Sequence, residues 1–427
     1  MSRLHIRNAR IINPANSTIE TGDVYIADGR IAALMHAPDG FSAEQTLDAS
    51  GLSLMPGIVD LCARLREPGD EHKATIASEC RAASANGITS ICCPPDTDPV
   101  IDEPAVVELI KRISTNTALS NVTVLGALTY RLKGERLSEM WAMKNAGCIG
   151  VSNARAPVVN TQVLRRAYYY AANCNQTVFI EPDDHWLSMQ GCAHDGPVAT
   201  RLGLQGIPVS AETSALARSL ELIAETGVRA HFGRLSCAQS VELIRRAKSD
   251  GIKVTADVSA HQLHLTEHDI SSFNSVFHVL PPLRSQRDME ALRQGVADGT
   301  IDIICSDHQP HEPDAKQQPF PSSAPGISAL DTLLPLTLAL VDDGILQMQT
   351  AIRALTAHPA DVLGITAGSI ERGAVADICL FETDTDWQLS GEQLHSRGKN
   401  SPFTGWNFRN RVKHTIINGR LVYSSNT

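Results

Sequence analysis

The sequence predicts an α/β protein: a TIM (β/α)8 barrel with a small β-sandwich domain formed by both chain ends. Three observations predict it. Through the middle of the chain, apolar strand patterns alternate with helical ones, the signature of βαβ units and a parallel sheet. Eight such strands can be drawn, the number this barrel needs. Both ends carry strand and tight-turn patterns instead. The 427 residues suit a barrel with an appended domain. Residues 1–55 and 365–427 are assigned to the small β domain and 56–364 to the barrel.

Residues 4–12 mix alternation with an apolar end. Asp23-Val24-Tyr25-Ile26 reads as a strand after Thr21-Gly22, and Asp28-Gly29 as a tight turn before Arg30 to Leu34. The barrel strands are placed at residues 58–63, 88–93, 122–127, 148–152, 177–181, 228–235, 253–259 and 301–306. Residues 104–113 put Val106, Leu109, Ile110 and Ile113 on one helical stripe, and Pro104 suits a first turn. Residues 240–248 carry similar spacing. A polar loop rich in Pro, Gln and Ser, residues 309–326, follows the eighth strand, where a barrel places active-site loops. By composition it reads as a mobile surface loop. Gly373 opens a turn into a buried strand, and Asn418-Gly419 between two apolar runs is a strong hairpin signal.

Hydrophobic residues make up 43% of the chain and charged residues 20%, enough for a full core. With 47 acidic against 37 basic residues the formal charge is −10, which argues against nucleic-acid binding and a basic membrane patch. The start, Met1-Ser2-Arg3-Leu4-His5-Ile6-Arg7, has no apolar core of a signal peptide, and no apolar run approaches membrane-spanning length. Ten cysteines lie without a CxxC pair, the usage of free thiols in a reducing cytoplasm. Only Cys62 is set apart from that reading.

The motif around Cys62 organises the chain. Residues 57–69 form a buried strand that runs into a polar turn closed by Pro68-Gly69. The stretch resembles the first barrel strand of the dihydroorotases, cyclic amidohydrolases whose pattern there is Asp-x-His-x-His-Leu-Arg-Glu-Pro-Gly. The resemblance implies a two-metal centre, usually zinc, entered by those two histidines from alternate residues of one strand face. Here the two positions hold Cys62 and Arg64. A thiolate can ligate zinc; a guanidinium has no lone pair to offer.

The resemblance continues strand by strand. Gly150-Val151-Ser152-Asn153-Ala154-Arg155-Ala156-Pro157 resembles Gly-Phe-Ser-Asp-Asp-Gly-x-Pro, so the bridging carboxylate has become Asn153 or Ala154. Glu181-Pro182-Asp183 stands where His-Pro-Glu is expected, so Glu181 replaces a ligand. His231-Phe232-Gly233-Arg234-Leu235-Ser236 resembles His-x-x-His-Val-Ser, with Arg234 for the second histidine. Only Ser306-Asp307-His308-Gln309-Pro310-His311, with Lys316 five residues on, keeps the family signature. There Asp307 takes the place of the catalytic carboxylate, and Gln309 replaces an alanine.

The positions that face substrate give a mixed answer. Arg66 matches the arginine that clamps the substrate carboxylate, a bidentate pairing. Asp96 stands where an amide is expected, and an acid there repels an anion. Leu280 replaces a second polar anchor, and His311 is retained. The resemblance therefore implies a pseudoenzyme without zinc, Asp307 being vestigial. Two guanidinium groups, Arg64 and Arg234, would fill the space and charge of two metal ions, paired with Asp307 and Glu181.

In some bacteria such an inactive chain assembles with the catalytic chain of aspartate carbamoyltransferase, the preceding enzyme of pyrimidine synthesis. The resemblance implies that partner for this chain. Two other readings stay open. One is a hydrolase with an altered metal site drawn from Cys62, Glu181, Asp183, Asp307 and His308. Each of these also has an ordinary reading, as a buried thiol, a paired or solvated acid, or a core histidine. The other is a metal-free protein that binds a small anion on Arg66.

Overall fold

A computed structural model describes residues 3–16 and 18–425. Eight parallel strands follow one another in chain order around a barrel. They are Ile58–Asp60, Ile88–Cys93, Asn121–Ala127, Gly150–Ser152, Thr177–Ile180, Ala230–Phe232, Val254–Ser259 and Ile303–Cys305. Each falls within or beside an expected stretch, and the sixth is much shorter than its apolar run. The first and eighth strands meet just beyond their ends. Ala63 bridges His308, Arg64 N–H donates to the His308 carbonyl at 2.9 Å, and His308 N–H to the Cys62 carbonyl at 3.2 Å. Closure therefore brings Cys62, Arg64 and Asp307 to one rim.

Helices cover the barrel because their apolar stripes need the strands' outer faces. Helix Pro104–Thr117 starts on Pro104 and buries Val106, Val107, Ile110 and Ser114, leaving Leu109 and Ile113 half-buried. Helix Ala238–Ser249 buries Val241, Ile244 and Ala247, and Asp288 accepts its Ala238 N–H. All ten cysteines are buried thiols.

The two chain ends share one mixed eight-stranded sheet. Ile378–Glu382 lies antiparallel to Ser53–Pro56, which leads directly into the first barrel strand. Ile6, Ile11, Val24, Ile26, Leu54, Ile378 and Ile416 form its separate apolar core. Thr18–Ala27 runs straight through Gly22, so Thr21-Gly22 is not a break. Gly22 instead receives the Met35 side chain. Asp28-Gly29 and Asn418-Gly419 are the tight turns expected, with positive φ at all four residues. Near the C-terminus, Leu389, Leu394, Phe403 and Phe408 join the barrel's own core.

The loop after the eighth strand contains short helical turns at Pro313–Lys316 and Phe320–Ser322, and it buries His311, Phe320 and Ser323. Lys316 Nζ donates to the carbonyls of Ser275 at 3.1 Å and His278 at 3.2 Å. The loop is thus tied to the loop after the seventh strand, which its polar composition did not indicate.

Candidate functional site

The C-terminal rim of the barrel collects the replaced positions. Arg66, Ala154, Arg234 and Asp307 all hold left-handed backbone, with φ between 46° and 64°. For residues with a Cβ that conformation costs about 1 kcal/mol or more each.

Both arginines turn inward and share two acids. Arg234 Nη2 stands 2.6 Å from Glu181 Oε1, and its Nε 3.9 Å from Asp307 Oδ1. Arg64 Nη1 lies 3.4 Å from Asp307 Oδ1, Nη2 lies 3.7 Å from Glu181 Oε1, and Nε donates to Asp96 Oδ2 at 2.8 Å. The side chains of Arg64, Arg234, Glu181 and Asp307 are at most 10% exposed. Burial opposes the charge of Arg64, but Asp96 and Glu181 more than offset it and hold the guanidinium firmly protonated. Asp96, the acid that would repel an anionic substrate, is held below the usual carboxylate range: burial opposes this, and Arg64 outweighs it.

Asp307 is shifted upward. Burial pushes it up to about 6, against the opposing pull of Arg234 and Arg64. Gln309 Nε2 donates to both its oxygens at 3.2 Å, which gives the departure from alanine a role. Cys62 Sγ lies 3.8 Å from Asp307 Oδ1, and burial raises its thiol well above the ordinary value, so it is no ready thiolate.

Asn153 is fully spent on neighbouring protein groups. Its Oδ1 accepts from Thr129 N–H at 3.2 Å and Oγ1 at 2.6 Å, and its Nδ2 donates to the carbonyls of Leu132 and Ala156. His308 belongs elsewhere: its Nδ1 accepts from Ala329 N–H at 3.0 Å and its Nε2 meets Glu79 Oε2 at 2.8 Å. Asp183 pairs with Arg155 at 3.4 Å and accepts from Ser188 Oγ. The five-member altered metal set is corrected accordingly, since His308 and Asp183 have other partners and only Cys62, Glu181 and Asp307 reach the arginine cluster.

Arg66 is held by the loop after the eighth strand. Nε donates to the Pro310 carbonyl at 3.1 Å and Nη2 lies 3.2 Å from His311 Nε2. Burial, then Arg66, presses His311 down to about 3, so the ring is neutral. The mouth contains little room: the cavities touching it enclose about 10, 50 and 110 Å³.

Sequence reasoning passed over Asp257. Its Oδ2 meets His231 Nε2 at 2.9 Å, and its Oδ1 accepts from Arg234 N–H at 2.6 Å. Burial opposes its charge, and the hydrogen bond from His231 keeps it ionised. A lone acid inside a strand of apolar and small hydroxyl residues was the available signal.

These residues do not fit a metal pair. The two arginines contribute no lone pair and are themselves paired with Glu181 and Asp307. Among the described residues no three His, Cys, Asp or Glu side chains form a group that could hold a metal ion.

Comparison with known proteins agrees with this frame. A family model described as dihydro-orotase-like matches residues 51–240, and the amidohydrolase family model matches residues 199–422. The chain is 46% identical to a "Dihydroorotase-like protein" of Pseudomonas aeruginosa, over 98% of this chain and 99% of that one. It is 44% identical to a protein of the same name from Pseudomonas putida, with the same coverage. A "Dihydroorotase" of a Geobacter species is 40% identical over 99% of both chains. Among solved structures, the L-hydantoinase (dihydropyrimidinase) of Arthrobacter aurescens shares the fold. Its TM-score is 0.89 at 24% identity, over 100% of this chain and 97% of that one. The chain belongs to the dihydroorotase-like group of the amidohydrolase family.

Proposed function

We propose that this chain is a catalytically inactive dihydroorotase homologue. In this reading it is a structural subunit that assembles with, and supports, the aspartate carbamoyltransferase catalytic chain in cytoplasmic pyrimidine biosynthesis. One observation carries the loss of activity: Arg64 and Arg234 occupy ligand positions and share Asp307 and Glu181. Hydrolysis of a cyclic amide needs an activated water and a base free to take its proton. Here the carboxylate in the base position accepts from Gln309 and faces two guanidinium groups, and the mouth is nearly filled. Arg66, the clamp of the anion-binding reading, is committed to Pro310 and His311.

The partner rests on the family resemblance, in which inactive chains of this kind accompany the transferase. The two Pseudomonas relatives carry the name "Dihydroorotase-like protein", which fits a chain set apart from the working enzymes. The relatives named "Dihydroorotase" favour the second reading, an altered but live hydrolase.

Light scattering on the matching transferase chain, with and without this protein, tests the proposal, each sample being assayed for carbamoyl transfer. A defined mixed complex, with transferase activity that depends on both chains, is the expected result. Two separate peaks with a fully active transferase would remove the partner. Hydrolysis of dihydroorotate by purified chain, with stoichiometric zinc, would establish the hydrolase instead.

A further inference from the structure

A cleft of about 790 Å³ opens at the other end of the barrel, where the third strand begins at Asn121. One wall is the last part of helix Pro104–Thr117 with the segment leading to Asn121. The other is a pair of hairpin turns from the chain-end sheet, Asp28-Gly29 and Asn418-Gly419. These turns press on each other: a Cβ on Gly419 would stand 2.9 Å from Gly29 Cα. That wall is therefore backed by packed backbone, and the cleft is far roomier than the cavities at the mouth.

Its charge is opposite to that of the chain. Arg30, Lys111 and Arg420 line it against one acid, Asp28, in a protein of formal charge −10. Arg30 Nη1 is steadied on the Gly373 carbonyl at 2.8 Å, and Lys111 Nζ on the Ala146 carbonyl at 3.2 Å. Each keeps further N–H donors. The Arg420 side chain has no hydrogen-bond or ion-pair partner among the described residues. Three cations suit the several charges of a phosphate group. Asp28 and the carbonyl end of the helix oppose a bare anion but accept from hydroxyl or amino groups. The volume lies within the range of small-molecule sites, about 300–1,000 Å³.

We propose that this cleft binds a phosphorylated small molecule of nucleotide size, held by Arg420, Lys111 and Arg30. The site goes beyond the scaffold reading and does not depend on it, because it lies at the opposite end of the barrel. Calorimetry on the full chain at low salt tests it, with ATP, AMP and inorganic pyrophosphate as probes and adenosine as the uncharged control. At least one phosphorylated probe is expected to bind saturably below about 1 mM, whereas adenosine does not. Arg420→Glu and Lys111→Glu, both at exposed positions, are each expected to weaken binding about tenfold or more. Arg420→Lys is expected to retain most of it. Silence from all three phosphorylated probes, or an affinity unchanged in both charge reversals, would overturn the proposal.

Discussion

Arg234→Met is the sharpest test of the arginine cluster. Methionine keeps much of the side-chain volume and removes the charge. In the native mouth Arg234 stands 2.6 Å from Glu181 and 3.9 Å from Asp307, with 10% of its side chain exposed. Without it, among the described residues Glu181 retains Arg64 alone at 3.7 Å, while Asp307 retains Arg64 at 3.4 Å and Gln309. Removing one partner of a buried pair costs about 3–5 kcal/mol, because the other charge stays desolvated. Arg64 compensates in part, so the low end applies, about 3 kcal/mol. Adding Glu181→Gln to Arg234→Met removes the stranded charge. It should recover more than half of that loss, since a neutral pair of similar volume costs little. Urea denaturation reads both values as midpoint shifts at constant slope. A loss below about 0.5 kcal/mol for Arg234→Met, the size of an ordinary surface change, would refute the idea that this ion group organises the mouth.

Asn153→Asp restores a carboxylate of the family pattern and is nevertheless expected to destabilise the fold. The new oxygen would face the Leu132 and Ala156 carbonyls that the amide now satisfies, at about 1–3 kcal/mol, readable by urea midpoint. Arg66→Ala frees the Pro310 carbonyl and His311, and should cost about 1–2 kcal/mol while amide exchange rises across residues 309–326. Burial lowers Lys316 to about 7, against about 10.4 for a free lysine. Between those values the unfolded chain binds more protons than the folded one, so stability should rise with pH across this window. Lys316→Gln should flatten that rise; an equally steep profile in the variant would place its source elsewhere.

Much of the fold was legible in the sequence. The strands of the barrel and the Asp28-Gly29 and Asn418-Gly419 turns depend on periodicity and turn chemistry within a few residues. The departures that the family resemblance implies at Cys62, Arg64, Asn153, Glu181 and Arg234 were legible too, because each sits in a recognisable local motif. The loop over residues 309–326 was misread as mobile because the Lys316 anchors lie on Ser275 and His278, about forty positions back. His308 and Asp183 were offered as ligand candidates for a similar reason. Their partners Glu79 and Arg155 are remote in the chain, and no local pattern announces them.

By itself, then, the sequence determined the barrel and the strands that both chain ends contribute, since each is written in residue type and short spacing. Only the tertiary structure decided how the charged side chains of the rim meet. Residues 64, 96, 181, 234, 257 and 307 come from different strand ends, and their meeting depends on barrel closure and on inward-turned backbone at Arg234 and Asp307. Once they meet in a desolvated rim, buried charge must find a partner. Two guanidinium groups shared between the same two carboxylates are the arrangement in which these side chains do so.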